Sequence, residues 1–376
     1  MTDATRTRRR RGCVPGLLAS AALGLSLTAG AAAAETAKGF APLPEPVTVN
    51  EVRAALGGKL FFDTRLSGDT AGSCATCHNP AQGWGDGQAL SDGYTSISYF
   101  RNAPGLFNVA HRRLLMWDGR LDGADLGTVT RDMITEAHTM NMDSRLAQQR
   151  LKQIPEYVAL FADGFGGDPY GGKIYGAIGE YMKTIRTTNA PFDKFLRGDR
   201  SALSDAAQRG MDLFAGKAGC IQCQSGAMLS DGDLHATGAP GHPDLQTDAD
   251  RQISMLRHFA TMGTPNYMNQ RADVGHYTVS KDKSDIGKFV TPSLWDVGQT
   301  APYMHSGVFA TLAEVVDFYD RGGGEGRNKS SLLKPLGLTD DEKVDLVAFL
   351  DSLTGDAPNV SAPELPGYQI REVGQN

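Results

Sequence analysis

The chain has 376 residues, with 37 Lys and Arg against 43 Asp and Glu, and carries a formal net charge of −6 at pH 7. This acidic balance argues against nucleic acid as a partner and favours a basic protein. The length allows two domains of ordinary size, and four of the five cysteines form two Cys-x-x-Cys pairs. No thiols remain for a structural disulfide, so a hydrophobic core must stabilise the fold.

The N-terminal segment is typical of an export signal. Arginines stand at positions 6 and 8–11, an apolar run covers residues 14–27, and three alanines at 32–34 form a cleavage site. The apolar run is short for a bilayer crossing and contains Gly and Ser. We therefore predict that residues 1–34 are a cleaved signal peptide, that the protein does not span a membrane, and that it is located in the periplasm. Removal of this segment lowers the formal charge to −10.

The first predicted helix follows Asn50, which can cap it. Its apolar face would carry Val52, Ala55, Leu56 and Leu60.

A Cys-x-x-Cys-His motif follows this helix, at Cys74, Cys77 and His78. Two thiols at this spacing can form thioethers to the vinyl groups of haem, and the adjacent His becomes the proximal iron ligand. A zinc half-site or a disulfide loop is the alternative, but zinc would need a second Cys/His pair to complete four ligands. The motif therefore predicts haem c.

A second pair, Cys220 and Cys223, has Gln224 where the first motif has His. A carboxamide oxygen is a poor substitute for imidazole. Three outcomes stay open: a haem with another axial ligand, a haem in part of the molecules, or a vacant site with a free dithiol. The histidines that could replace the missing ligand are His235, His258, His276 and His305.

The remaining predicted helices lie between and after the two motifs, over residues 175–185, 201–214 and 312–319. Thr339 and Glu342 form a capping box for a last helix that ends before Gly355. Its apolar residues are Val344, Leu346, Val347, Phe349, Leu350 and Leu353. Alternating strand patterns are nearly absent.

Internal similarity indicates a duplication. Three strings recur in the same order: residues 59–62 with 211–214, 103–110 with 291–298, and 116–119 with 304–307. The alignment places Trp117 opposite His305 and Gln224 opposite His78. We predict an all-α fold of two tandem cytochrome c-like domains with long loops, joined near 187–205. The predicted domains cover residues 35–190, with the peroxidatic haem, and 191–360, with the electron-transfer haem, followed by a tail at 361–376.

These strings give the chain its resemblance to a known family. Residues 101–104, 117–120, 291–294 and 301–307 together resemble the bacterial di-haem cytochrome c peroxidases, which include the maturase MauG. The resemblance implies that the N-terminal haem meets peroxide, that the C-terminal haem relays electrons, and that Trp117 stands between them. It also implies a Ca²⁺ ion between the domains, held by oxygens of Asn102, Thr300 and Pro302.

The resemblance also identifies residues at the two irons. No His lies between His78 and His111, so the first iron is expected to be open to peroxide. Tyr319 occupies the position of the sixth ligand of the second haem; the alternatives are that it is a half-buried aromatic or that Met304 is the ligand. On the distal side of the first haem, where the family has a carboxylate, Glu136 is the first choice for acid–base catalysis and His138 the second.

The predicted function is a periplasmic c-type haem oxidoreductase, similar to cytochrome c peroxidase, that reduces hydrogen peroxide. Electrons would come from a small redox protein, a cytochrome c or a cupredoxin. One alternative is a MauG-like maturase that oxidises residues of a partner protein in amine dehydrogenase cofactor biogenesis. Ala218 stands where that maturase has a Trp for drawing electrons from its partner. The other alternative is an electron carrier without catalysis.

Overall fold

The computed structural model describes residues 38–94 and 98–368. The predicted signal peptide and the end of the predicted tail, residues 369–376, lie outside the described residues.

The described chain is mostly helical, as predicted from the sequence. Its α-helices, in chain order, are α1 Glu51–Phe61, α2 Cys74–Cys77, α3 Leu126–Thr135, α4 Ser144–Lys152, α5 Pro155–Phe165, α6 Gly171–Met182, α7 Pro191–Leu196, α8 Asp205–Ala215, α9 Asp244–Thr247, α10 Ala249–Thr261, α11 Tyr277–Ser280, α12 Leu312–Asp320 and α13 Asp340–Asp351. Two short antiparallel ladders interrupt this pattern. Strand β1 (Leu114–Leu115) pairs with β2 (Leu121–Asp122), and β3 (Leu234–His235) pairs with β4 (Phe289–Val290). No helix of the described residues is long and apolar enough to cross a membrane.

The predicted helix starts agree with local capping. The Asn50 side chain accepts a hydrogen bond from the Arg53 N–H at 3.1 Å, so α1 begins at Glu51. Thr339 and Glu342 form the expected capping box in front of α13. The ends are less well predicted, since α6 runs from Gly171 to Met182 and not over 175–185.

The predicted apolar faces are partly wrong. Val52 in α1 and Val344 in α13 are 45% and 66% exposed, and Ala55 is also exposed. The buried faces are instead rotated towards glycines that allow close helix packing. A Cβ at Gly57 would lie 1.9 Å from the Ala177 carbonyl oxygen of α6. The small residue therefore determines which side of α1 faces its partner.

The second half repeats this packing. A Cβ at Gly210 in α8 would lie 1.9 Å from the Asp345 carbonyl oxygen of α13. Gly57 and Gly210 are both three residues before the Leu of the repeated string, at Leu60 and Leu213. A duplicated chain would produce such matched crossings, and the domain boundaries stay a prediction.

The apolar interior is divided between the two halves. One cluster of buried side chains extends from Leu56 to Ile185, and a second contains Phe40 and extends from Ala190 to Leu353. A third, smaller cluster joins Phe100 to Phe259. The first two clusters each pack against one Cys-x-x-Cys pair.

Candidate functional site

The first motif lies at the wall of a cavity of about 620 Å³, lined by Cys74, Cys77 and His78. The Ser73 N–H donates to Thr76 Oγ1 at 2.9 Å, which helps to begin the single-turn helix α2. Residues three apart on a helical turn lie on the same face. The turn therefore directs both thiols towards one cavity and places His78 at its end.

Hydrogen bonding fixes the orientation of the His78 ring. Its Nδ1 lies 2.9 Å from the Trp84 carbonyl oxygen, which can only accept, so Nδ1 carries the proton. Burial lowers the pKa of His78 and favours the neutral ring. The Nε2 atom is then unprotonated and keeps its lone pair, which is the state that a metal-ligating histidine needs.

The thiols of the first motif fit haem attachment better than zinc. Burial raises the pKa of Cys74 to about 12 and that of Cys77 to about 11, so both are neutral thiols at pH 7. Zinc binds thiolates and would need further ligands. Within residues 38–94 and 98–368, the one gathering of His, Cys, Asp and Glu suited to a metal ion lies elsewhere.

The two predicted acid–base residues have different positions relative to the first cavity. His138 lines the first cavity, and its ring stacks on Tyr99 with centroids 5.2 Å apart. Glu136 does not line this cavity. Its carboxylate lies behind His138, with Oε2 at 3.1 Å from His138 Nε2 and 3.2 Å from the Arg120 guanidinium. Burial would raise the pKa of Glu136, but His138 and Arg120 lower it and favour the carboxylate.

A buried ion network supports this wall. Asp118 lies 2.6 Å from Arg101 and 3.2 Å from Arg120, and His258 Nε2 lies 3.4 Å from the same carboxylate. Burial opposes ionisation of Asp118, but the two arginines hold its pKa well below its ordinary value. Arg101 also contacts Asp273 at 2.5 Å. Two of the strings that suggested the family, 101–104 and 117–120, therefore contribute to one ion network beside the first cavity.

Trp117 lines both cavities, as its predicted place between two haems requires. Its Nε1 donates to the Asn102 carbonyl oxygen at 2.9 Å. Its ring meets the His305 ring edge-to-face, with centroids 6.5 Å apart. The two residues that the repeat aligns thus contact each other at the wall of the second cavity.

The second motif lines a smaller cavity of about 270 Å³, together with Gln224 and Tyr319. With the Gln224 amide oriented to satisfy its neighbours, Nε2 donates to the Pro292 carbonyl at 3.0 Å and also to the Leu229 carbonyl. This is the kind of bond that His78 Nδ1 makes on the first side. Gln224 therefore retains the backbone hydrogen bonding of a proximal histidine but not the imidazole nitrogen that would bind iron.

Tyr319, on α12, shares this cavity with the two thiols. Burial, with the Cys220 and Cys223 thiols nearby, raises the pKa of Tyr319 above its ordinary range. The phenol is therefore neutral unless a metal displaces its proton. Met304 lines the same cavity, so both predicted ligands of the second iron are present there.

Two of the four candidate replacement histidines line the second cavity, His235 and His305. His305 stacks on Phe289 with centroids 3.7 Å apart, and burial lowers its pKa to about 4. His258 and His276 line neither cavity and instead contact Asp118.

His235 belongs to a cluster that sequence reasoning missed. Ligand atoms of Cys223, Asp231 and His235 lie within 4.8 Å of one another, a group that could hold a metal ion. The hydrogen bond with Cys223 raises the pKa of His235 to about 9 against the effect of burial, and Asp231 contributes at 2.8 Å. Cys223 and Asp231 are eight positions apart and Asp231 and His235 four, and such spacings in a sequence are weak signals of a metal site. Because a Cys223 thioether to haem would remove the thiolate, haem attachment and metal binding exclude each other here.

The three predicted calcium ligands, Asn102, Thr300 and Pro302, all line the second cavity. Asn102 already donates through Nδ2 to the Gln88 carbonyl at 2.7 Å, and Thr300 Oγ1 donates to the Val297 carbonyl at 3.2 Å. No Asp or Glu of the described chain lines this cavity. Since carboxylates strengthen Ca²⁺ binding, calcium stays a prediction.

Comparisons with known proteins agree with this geometry. A family model described as di-haem cytochrome c peroxidase matches residues 51–201. The chain is 53% identical to cytochrome-c peroxidase IdrP2 of Denitromonas iodatirespirans, over 95% of this chain and 96% of that protein. It is 35% identical to the methylamine utilization protein MauG of Methylorubrum extorquens, over 86% and 84%.

Among solved structures, a MauG-like protein associated with microbial copper homeostasis superposes with a TM-score of 0.71 at 28% identity, covering 85% of this chain and 97% of that one. The diheme peroxidase BthA from Burkholderia thailandensis has the same fold, with a TM-score of 0.66 at 22% identity and coverage of 86% and 91%.

Proposed function

Because the chain belongs to the di-haem cytochrome c peroxidase family, we propose that it reduces hydrogen peroxide in the periplasm with electrons from a small cytochrome c or cupredoxin. The family and the class of enzyme predicted from the sequence, a cytochrome-c peroxidase-like oxidoreductase, are confirmed by these relatives. The substrate, the electron donor and the location are the proposal.

The observation that carries the proposal is the content of the first cavity. One space of about 620 Å³ is lined by the attachment thiols, by a neutral His78 with a free Nε2, and by His138. Haem c, when attached there, supplies the iron at which peroxide is bound and reduced. His78 would hold that iron from the proximal side, with its ring fixed by the Trp84 carbonyl.

His138 is the residue to which we assign proton movement. An imidazole can take a proton from one peroxide oxygen and return it to the other as the O–O bond breaks, so that water leaves. Glu136 would act as a positioning residue, because its carboxylate lies 3.1 Å from His138 Nε2 and can fix the orientation of the ring. Tyr99 limits rotation of the imidazole by stacking on it.

Electrons would enter from the second cavity through Trp117, which lines both spaces. We propose Tyr319 as the protein ligand of the second haem, with Gln224 at its proximal side. The Ca²⁺ ion would be held near Asn102, Thr300 and Pro302. With a buried Ala218 beside Cys220, no aromatic residue at that position is available for drawing electrons from a partner protein. This supports the peroxidase over the maturase.

Steady-state turnover tests the proposal. Reduced small cytochrome c should be oxidised by hydrogen peroxide in the presence of the holoprotein, and the resting ferric protein should bind cyanide without prior reduction. A protein that accepts electrons but shows no peroxide turnover would be a carrier. One that turns over only with an amine dehydrogenase precursor would be a maturase. Either result would contradict the proposal.

A further inference from the structure

Arg112 lies in the wall between the two cavities and lines both of them. It follows the short turn Val109–His111, which places its side chain inside the molecule. Its Nη2 donates to the Phe107 carbonyl oxygen at 2.7 Å. Its Nε is buried and has no hydrogen-bond partner among residues 38–94 and 98–368. The partly buried guanidinium therefore keeps one buried N–H donor without a partner.

The charge of Arg112 is also unmatched. Burial lowers the pKa of Arg112 to about 10, and no carboxylate of the described chain opposes this effect. Arg101 is the contrasting case, because Asp118 and Asp273 contact it at 2.6 and 2.5 Å and raise its pKa despite burial. A positive charge held in a mainly apolar wall without a counter-ion is unfavourable. Such a group in a lined cavity indicates an anionic ligand.

The surroundings define the chemistry of that ligand. The second cavity is lined by Arg112 and Lys334 but by no Asp or Glu within the described ranges, and both cavities are mainly apolar. The first cavity also has charged residues of both signs in its wall, namely Arg101, Arg112, Arg113, Asp69, Asp86, Asp92 and Asp231. A flat apolar molecule with a carboxylate at its edge fits this arrangement.

We propose that Arg112 is an anion-binding residue shared by the two cavities, and that its guanidinium pairs with a propionate carboxylate of the porphyrin attached at Cys74 and Cys77. The planar guanidinium matches a carboxylate with two parallel hydrogen bonds. The inference rests on the proposed function only because it requires a haem attached at Cys74 and Cys77. Arg112 would tune the first haem electrostatically and hold it against the wall that also contains Trp117.

Potentiometric titration of the holoprotein tests the pairing without using peroxide. Loss of a positive charge beside the porphyrin favours the ferric state. In Arg112→Met, the reduced-to-oxidised ratio of the first haem at fixed potential should fall about tenfold, which is 59 mV for a one-electron couple. Arg112→Lys should remain close to wild type. Arg131→Met is the matched control, because Arg131 lines neither cavity, is 51% exposed and already pairs with Asp132 at 2.7 Å.

Several results would overturn the inference. An unchanged potential in Arg112→Met at full haem content would show that the guanidinium does not act on the porphyrin. Equal shifts in Arg112→Met and Arg112→Lys would show that its charge is not responsible, and this comparison stands even if the Met variant folds poorly. A wild-type potential that changes between chloride and phosphate buffers, but not in Arg112→Met, would identify a free anion as the partner. A chain without haem at Cys74, detected by pyridine haemochrome, would overturn the proposed function as well.

Discussion

The two cavities are built from repeated sequence but differ at the atom that would bind iron. In the first, His78 donates through Nδ1 to a backbone carbonyl and presents Nε2 to the cavity. In the second, the Gln224 amide nitrogen donates to backbone carbonyls in a similar way, but position 224 offers no imidazole nitrogen to the cavity. The hydrogen bonding to the backbone is similar on both sides because a carbonyl accepts an N–H from either side chain. This hydrogen bonding alone therefore does not establish that a site can bind haem iron.

The distal sides differ as well. His138 and Glu136 form a pair at the first cavity, whereas the second cavity offers a neutral phenol, Tyr319, and the Cys223–Asp231–His235 cluster. The His138 imidazole, with the Glu136 carboxylate behind it, is the proton carrier that we propose for the first cavity. We likewise propose peroxide chemistry at the first cavity and electron relay at the second, as the resemblance implies.

The largest expected effect comes from substitutions in the His138–Glu136 pair of the first cavity. His138→Gln should lower peroxide turnover by about 10²–10⁴-fold, because it removes the proton carrier. Glu136→Gln should lower it less, by about tenfold, since it removes only the positioning carboxylate. Steady-state kinetics measure both variants. Arg131→Gln, an exposed change on the helix α3 that precedes the pair, is the control. Near-normal turnover in His138→Gln would move the catalytic role to another residue.

The repeated glycine crossings allow a comparison of stability. Gly57→Ala and Gly210→Ala should each lower the free energy of unfolding by about 1–3 kcal/mol or more, because the added Cβ meets a backbone oxygen. Chemical denaturation of the holoprotein measures the change. Gly172→Ala in α6 should not destabilise, since its Cβ would lie 3.8 Å from Tyr170. If only one of the two crossings is sensitive, the two halves do not pack equivalently.

Gln224→His should restore the imidazole ligand that the second motif lacks. Without imidazole the wild-type chain is expected to hold fewer than two haems, and the variant should approach two with a gain in peroxide turnover. Intact mass and pyridine haemochrome measure the haem content. Gln222→His, an exposed change in the same motif, should have no effect. A wild-type protein that already carries two covalent haems, and gains nothing from the substitution, would make Gln224 a tolerated ligand position.

The smallest expected effect is spectroscopic. Tyr319→Phe should change the absorption spectrum and potential of the second haem, because it removes the phenolate ligand, while cyanide binding to the first haem stays intact. Tyr303→Phe is a matched control, since Tyr303 lines the same cavity and donates to the Val297 carbonyl at 3.1 Å. If Tyr319→Phe leaves the spectrum of a proven two-haem protein unchanged, Met304 becomes the better candidate ligand.

The sequence by itself determined the features that depend on neighbours a few residues away. The Cys-x-x-Cys-His spacing, the caps at Asn50 and Thr339 and the mostly helical content were predictable because each depends on contacts within one or two turns. The repeat also aligned Trp117 with His305, and the structure brings their rings into contact at the second cavity.

Tertiary structure alone decided which side chains share a space. Sequence favoured Glu136 over His138, but the end of α3 directs His138 into the first cavity and leaves Glu136 behind it. The sequence predicted Val52 as a core residue, but the close packing of α1 on α6 at Gly57 leaves Val52 exposed. The unmatched charge of Arg112 was invisible in the sequence, because a missing carboxylate is a property of the whole surrounding shell. Residues far apart in the chain form that shell, and only the packing of the helices brings them into contact.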